Sequence, residues 1–250
     1  GVVRTYRGEE TDQERCELGN EDPRFPIEHE YPPLEAGLNR WWWDLKSEDI
    51  PCIDGILLHG GYDGPSAPPG EYTVRVKVAG AEGSAPLPVV PDPRSEATAG
   101  ERAAWTGALE QARGLLEETL STLDAARAAR EQVRALAARY DDGDLQAMAG
   151  EAIAAIDGWE SQVTQLRHET YEDEDAWENE IDGQLRFLLD VIDRAGAPVT
   201  AGSLERLSDL ETEWRALAAE LDRITEDGLA PINAWAERAE IPHVLDPRGE

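Results

Sequence analysis

Three consecutive tryptophans, Trp41-Trp42-Trp43, are the most chemically suggestive residues of the chain, because flat aromatic faces bind sugar rings by apolar contact. In an extended segment Trp41 and Trp43 share one face and Trp42 takes the other. Burial of that pair between two sheets leaves Trp42, together with Tyr62, as candidate ligand-binding aromatics of a carbohydrate-binding module. The histidines His29, His59, His168 and His243 fall in different segments, and none belongs to an HExxH or a Cys/His motif. Each is expected to be a packed or solvated side chain. Cys16 and Cys52 are the only cysteines, too few for a four-ligand zinc site or a disulfide-dense scaffold. One bridge and two free thiols are both compatible with them. The run Glu172-Asp173-Glu174-Asp175 lacks EF-hand spacing and reads as a solvated turn. Residues 56–65 are glycine-rich without GxGxxG or P-loop order, and no GxSxG elbow occurs. No catalytic, cofactor-binding or metal-binding residue is assigned, and no cofactor is expected.

Two stretches of different composition must position these residues. A Pro/Gly-rich half gives way near residue 95 to an Ala/Leu/Glu/Arg-rich half, which places a domain boundary there. In the first half Tyr72, Val74, Val76 and Val78 alternate strictly with Thr73, Arg75 and Lys77, which predicts a half-buried antiparallel strand. Residues 2–6, 38–45 and 87–90 give further strand signals, the last hemmed by Pro86, Pro88 and Pro91 as an edge strand would be. Four strands fall short of the seven or so of an immunoglobulin sandwich. In the second half Thr98 and Glu101 form a capping-box pair at the head of a helix predicted over 98–140. Its apolar seam runs through Leu109, Leu116, Leu123 and Ala137 in one register and Ala112, Ala126, Val133 and Tyr140 in the other, with Thr119 and Arg130 as polar exceptions. Further helices are predicted over 145–167, through Trp177 and Ile181 to Ile192, and from about Thr200 onward with a break near Gly228 and Pro231. The expected fold class is α+β in two domains: a partial immunoglobulin-like β-sandwich over 1–95 and an antiparallel four-helix bundle over 96–250.

Charge narrows the partners. With 23 Lys+Arg against 53 Asp+Glu, the formal net charge is −30. Nucleic acid and anionic lipid surfaces both require clustered cations, so neither is expected to bind. No segment approaches the roughly 18 consecutive apolar residues of a membrane helix, and no membrane insertion is expected. Lys46 and Lys77 are the only lysines, and such an acidic, lysine-poor chain suits a halophile, where molar salt screens self-repulsion. Folding is therefore expected to need high salt. The first residue is Gly1, which suggests a processed chain or a fragment.

Several motifs carry a family resemblance. Gly37-Leu38-Asn39-Arg40 leads into Trp43-Asp44-Leu45, followed by Gly64-Pro65, Pro69-Gly70-Glu71-Tyr72-Thr73-Val74, and Pro91-Asp92-Pro93-Arg94 before the long helix. With Gly196-Ala197-Pro198-Val199-Thr200 and Pro231-Ile232-Asn233-Ala234, this resembles the C-terminal region of large β-propeller proteins with BNR or sortilin-like repeats, often labelled glycosyl hydrolases. The resemblance implies a β-sandwich of immunoglobulin or flagellar-hook-cap type, a helical bundle, and a propeller upstream. No S-x-D-x-G-x-x-W Asp-box occurs, so no catalytic residue is carried over. An acidic insertion over 9–35 and the triple tryptophan depart from the pattern. The expected role is a non-catalytic accessory or interaction module of an extracellular or cell-surface protein, held to the upstream propeller domain or to a partner protein subunit. A carbohydrate-binding module and a hydrolase are the alternatives. Docking is expected at an unpaired strand edge near residues 2–6.

Overall fold

The computed structural model describes residues 1–18, 31–33, 35–167 and 171–241. They are mostly helical, with one two-stranded antiparallel sheet. A short helix α1 (Asp12–Leu18) precedes strands β1 (Gly70–Val78) and β2 (Ala81–Val89). Then come the helices α2 (Ala99–Arg139), α3 (Gly143–Val163), α4 (Ile181–Ala195), α5 (Ala201–Ile224) and α6 (Ala230–Arg238).

The helices start where the sequence places caps. Thr98 Oγ1 accepts from the Glu101 N–H at 3.2 Å while Glu101 Oε2 accepts from the Thr98 N–H at 2.7 Å, the reciprocal capping box. Asp142 Oδ1 accepts from the N–H groups of Asp144 and Leu145, and Thr200 Oγ1 from that of Ser203. The α2 seam is buried along Leu109, Ala112, Leu116, Leu123, Ala126 and Val133. Its two polar exceptions are accommodated differently. Thr119 turns its hydroxyl onto Leu115 O at 2.8 Å, whereas Arg130 pairs with Asp157 and Glu160 of α3. α2 packs on α3 and α4, and α5 packs on both of those. Buried tryptophans tie the helices together with their indole N–H groups: Trp105 to Ile192 O (2.9 Å), Trp159 to Leu217 O (2.8 Å), and Trp214 to Glu118 Oε1 (2.9 Å). α3 ends at Val163, earlier than its predicted limit, and Leu166 beyond it is exposed. The expected break near Gly228 is a π-turn, Thr225–Leu229, that carries α5 into α6 without interruption.

The first half departs from expectation. A β-sandwich is not shown: among the described residues β1 and β2 are the only strands, and 2–6 and 38–45 form none. Instead, an irregular segment delivers Ile50, Ile53, Ile56, Leu58 and Tyr62 into the same buried cluster as the helices. Composition changes near residue 95, but this cluster runs across that point. Its turns rest on positive φ at Gly55, Gly60 and Gly61, and Gly64 lies so close to Glu48 O that any Cβ would collide with it. Side chains of the helices supply the hydrogen bonds that an opposing sheet would have supplied. Buried Arg186 donates to Gly60 O (2.7 Å), Gly61 O (2.6 Å) and Asp190 (3.0 Å), and Arg127 donates to Asp54 O at 2.8 Å. Arg113 reaches Ser47 Oγ at 2.8 Å, and Asp193 accepts from Ser66 N and Oγ. A Cys16–Cys52 disulfide ties α1 to this segment.

Candidate functional site

The feature that stands apart from this packed body is the hairpin of β1 and β2. Nine residue pairs run from Gly70↔Val89 to Val78↔Ala81, closed by the two-residue turn Ala79-Gly80. Both turn residues have positive φ (47° and 82°), as the type I′ turn favoured in tight hairpins requires. Directly opposed residues share a face. One face therefore presents Tyr72, Val74, Val76 and Val78 with Ala81, Gly83, Ala85 and Leu87, and the other presents Thr73, Arg75 and Lys77 with Glu82, Ser84 and Pro86. At the base the apolar face is anchored. The Tyr72 ring meets Trp43 edge-on at 5.4 Å, its hydroxyl donates to Pro68 O at 2.5 Å, and partial burial pushes its phenol pKa up. Beyond Tyr72 nothing among the described residues covers it: Val74, Val76 and Val78 are 43%, 55% and 47% exposed. The alternation that predicted a half-buried strand is correct in period but not in burial, because the core is filled by the helices and the 50–62 segment. On the polar face Glu82 pairs with Arg75 (3.2 Å) and Lys77 (3.8 Å).

The aromatic candidates separate. Trp42 is 76% exposed, with the Arg40 guanidinium 5.6 Å from its ring centre. Tyr62 is only 3% exposed and donates its hydroxyl to Ile56 O at 3.0 Å, so it offers no face to a ligand. Its assignment as a binding aromatic is corrected: flanking glycines fold the segment inward and place the ring in the core. Trp41 and Trp43 are half-buried as their parity predicts, but against Tyr6 and Tyr72 rather than between sheets. His59 is half-buried, whereas His29, His168 and His243 lie outside the described residues. Glu172 and Asp175 are exposed in a 3-10 turn, Tyr171–Asp175.

Two polar sites deserve comparison with the hairpin. A groove of about 430 Å3 between α3 and the π-turn brings Glu151, Glu220 and Asp227 beside Arg223, with Met148 and Ala152 as its floor. Among the described residues no group of three or more His, Cys, Asp or Glu side chains is arranged to hold a metal ion. The second site is interior. Glu160, buried on α3, accepts from Arg127 Nε at 2.6 Å and from Arg130. Nearby Asp182, at the start of α4, has its pKa pushed up from 3.8 to about 6 by burial, against the opposing pull of hydrogen bonds from Thr164 and the Gly183 N–H. Glu160 and Asp182 are buried, and the ion pairs of Glu160 with Arg127 and Arg130 tie α3 to α2.

Residues 81–86 were missed as a strand because Ala, Gly, Ser and Pro have low strand preference; the short Ala79-Gly80 turn after an alternating run was the available signal. No family model, curated protein or solved structure matches this chain.

Proposed function

We propose that this chain is a non-catalytic accessory module that docks a partner polypeptide through its exposed β-hairpin. The single observation supporting this is the row Val74, Val76 and Val78, half-exposed on a ribbon whose base is fastened and whose far end is not. Apolar rows of this kind mark interaction surfaces. The resemblance to propeller C-terminal regions makes an upstream propeller domain or a partner subunit the natural recipient, on an extracellular or cell-surface protein. The expected edge at residues 2–6 is replaced by the hairpin as the docking element, since residues 2–6 form no strand. A carbohydrate-binding reading would have to rest on Trp42 without Tyr62.

A photo-crosslinking residue placed at Val76 in the native cells tests the proposal. One polypeptide, identified by mass spectrometry, is expected in the adduct, with none from the same group at exposed Ser121 of α2. Equal labelling at both positions, or turnover of glycosides or peptides abolished by one Asp or Glu substitution, would overturn it.

A further inference from the structure

The two long edges of the hairpin are not equivalent, and their difference specifies what can dock. In a two-residue hairpin the pair flanking the turn exchanges both backbone hydrogen bonds, and such pairs then alternate with pairs whose N–H and C=O groups point outward. Val78↔Ala81 is the flanking pair, so Val76↔Gly83, Val74↔Ala85 and Tyr72↔Leu87 also bond inward. The outward set is Lys77↔Glu82, Arg75↔Ser84, Thr73↔Pro86 and Glu71↔Pro88. Both strand prolines fall in the outward set, where their missing N–H costs the hairpin nothing, an independent check on the register.

The outer edge of β2 therefore lacks donors at Pro86 and Pro88, and no partner strand can restore them. The outer edge of β1 keeps outward N–H and C=O groups at Glu71, Thr73, Arg75 and Lys77. It is guarded only by charge, since Arg75 and Lys77 flank it and share the single carboxylate of Glu82. A guard made of charge selects a partner, whereas the prolines close the base half of the β2 edge to any strand and leave outward N–H groups there only at Glu82 and Ser84.

We propose that the outer edge of β1 accepts an added strand from another polypeptide, one that alternates acidic with β-branched apolar residues. This inference rests on the docking role proposed above and names its mode. On one face of the widened sheet the acidic residues would lie directly opposite Arg75 and Lys77; on the other the apolar ones would extend the row of Val74, Val76 and Val78. A second copy of this chain fits poorly. Antiparallel pairing of β1 with itself over its full length sets Lys77 opposite Glu71 but leaves Arg75 opposite Thr73 with no carboxylate, and brings together two bodies of net charge −30. The hairpin carries two cations and two carboxylates, and with Glu71 at its base the tip, holding Arg75, Lys77 and Glu82, is locally cationic on an acidic protein.

The probe is a nine-residue capped peptide, matched to the length of β1, that alternates valine with glutamate; a valine/lysine peptide is the control. Titrations of the full chain are run at physiological salt or above, where a Debye length of about 8 Å or less screens the distant carboxylates. Amide exchange is expected to slow at Thr73, Arg75 and Lys77 and to stay unchanged at Glu82 and Ser84. Thr73→Pro removes one outward N–H without touching a β1–β2 bond and should weaken binding about tenfold or more, while Ser84→Pro on the opposite edge should change it less than about twofold. If Thr73→Pro perturbs the hairpin, the double substitution Arg75→Glu, Lys77→Glu serves instead, and should transfer preference to the valine/lysine peptide. Binding of neither peptide, equal binding of both, or equal sensitivity to Thr73→Pro and Ser84→Pro would overturn strand addition. So would a concentration-dependent dimer abolished by Thr73→Pro, which would make a second copy the occupant. A specific adduct at Val76 alongside any of these failures would leave the docking role standing and remove only its mode.

Discussion

The segment 45–67 and the hairpin 70–89 are neighbours in sequence and opposites in structure. The hairpin has the clearest periodicity of the first half and is exposed on both faces beyond its base. The segment before it has no helix or strand beyond a single Lys46↔Ser66 bridge, yet it places Ile50, Ile53, Ile56, Leu58 and Tyr62 in the core. Periodicity thus reports which residues can share a face, while burial depends on whether another element has room for that face. The irregular segment is fastened in that room by Arg113, Arg127 and Arg186, which donate to Ser47 Oγ, to Asp54 O and to the Gly60 and Gly61 carbonyls. The hairpin needs no such help, since its strands pair with each other and its remaining groups face water.

The largest expected effect lies on the packed side. Ile50 is fully buried and its N–H donates to Tyr62 O at 2.6 Å. Ile50→Ala should destabilise the protein by about 2–5 kcal/mol in denaturant titrations. A loss below about 0.5 kcal/mol, usual for surface positions, would mean that the segment is only draped on the helices.

A second, smaller effect depends on pH. Asp182 holds its proton up to about pH 6 in the folded chain, against 3.8 ordinarily, because burial disfavours its charged form. Between those values the native state binds more protons than the unfolded one, so this group's contribution to stability falls as pH rises from about 4 to 6 and is constant above. Asp182→Asn, which keeps an acceptor for the Gly183 N–H, should remove that loss. Its advantage over the parent should be absent below about pH 4 and reach at most about 3 kcal/mol at pH 7. Parallel unfolding curves at pH 4, 5, 6 and 7 check this, and an advantage independent of pH would show that Asp182 is not buried in its charged form.

The smallest effect is expected on the hairpin. Val76→Ala should shift stability by less than about 0.5 kcal/mol. A larger loss in the isolated monomer would reveal that the ribbon folds back on the body and would erase the contrast between the two regions.

The helices were legible for local reasons. The Thr98/Glu101 box, the start near Thr200, and the three- and four-residue spacing of Leu, Ala, Ile and Trp act within one or two turns, so sequence alone sets where α2 and α5 begin and which face they bury, whereas α3 starts at Gly143 on an Asp142 cap, two residues before the predicted Leu145. The parity of Trp41, Trp42 and Trp43 was equally readable, and Trp42 is the exposed one of the three. Tyr62 was not readable. Between Gly61 and Asp63 it resembles an exposed loop aromatic, and the inward turn at Gly60 and Gly61 is held by Arg186, more than a hundred residues along the chain.

What the sequence by itself determined is thus the four long helical stretches of the second half, the Thr98 and Thr200 starts and the apolar seams, the register-setting alternation of β1, and a strongly acidic composition. Tertiary structure alone decided that Cys16 meets Cys52, that the 50–62 segment fills space an opposing sheet was expected to fill, and that Val74, Val76 and Val78 stay uncovered. The physical reason is one of range. Caps and periodicity are interactions between residues a few positions apart, whereas burial is a competition among all apolar faces for one core of limited volume. In this chain the helices and the irregular segment take that volume, and the valine row of the hairpin is left exposed.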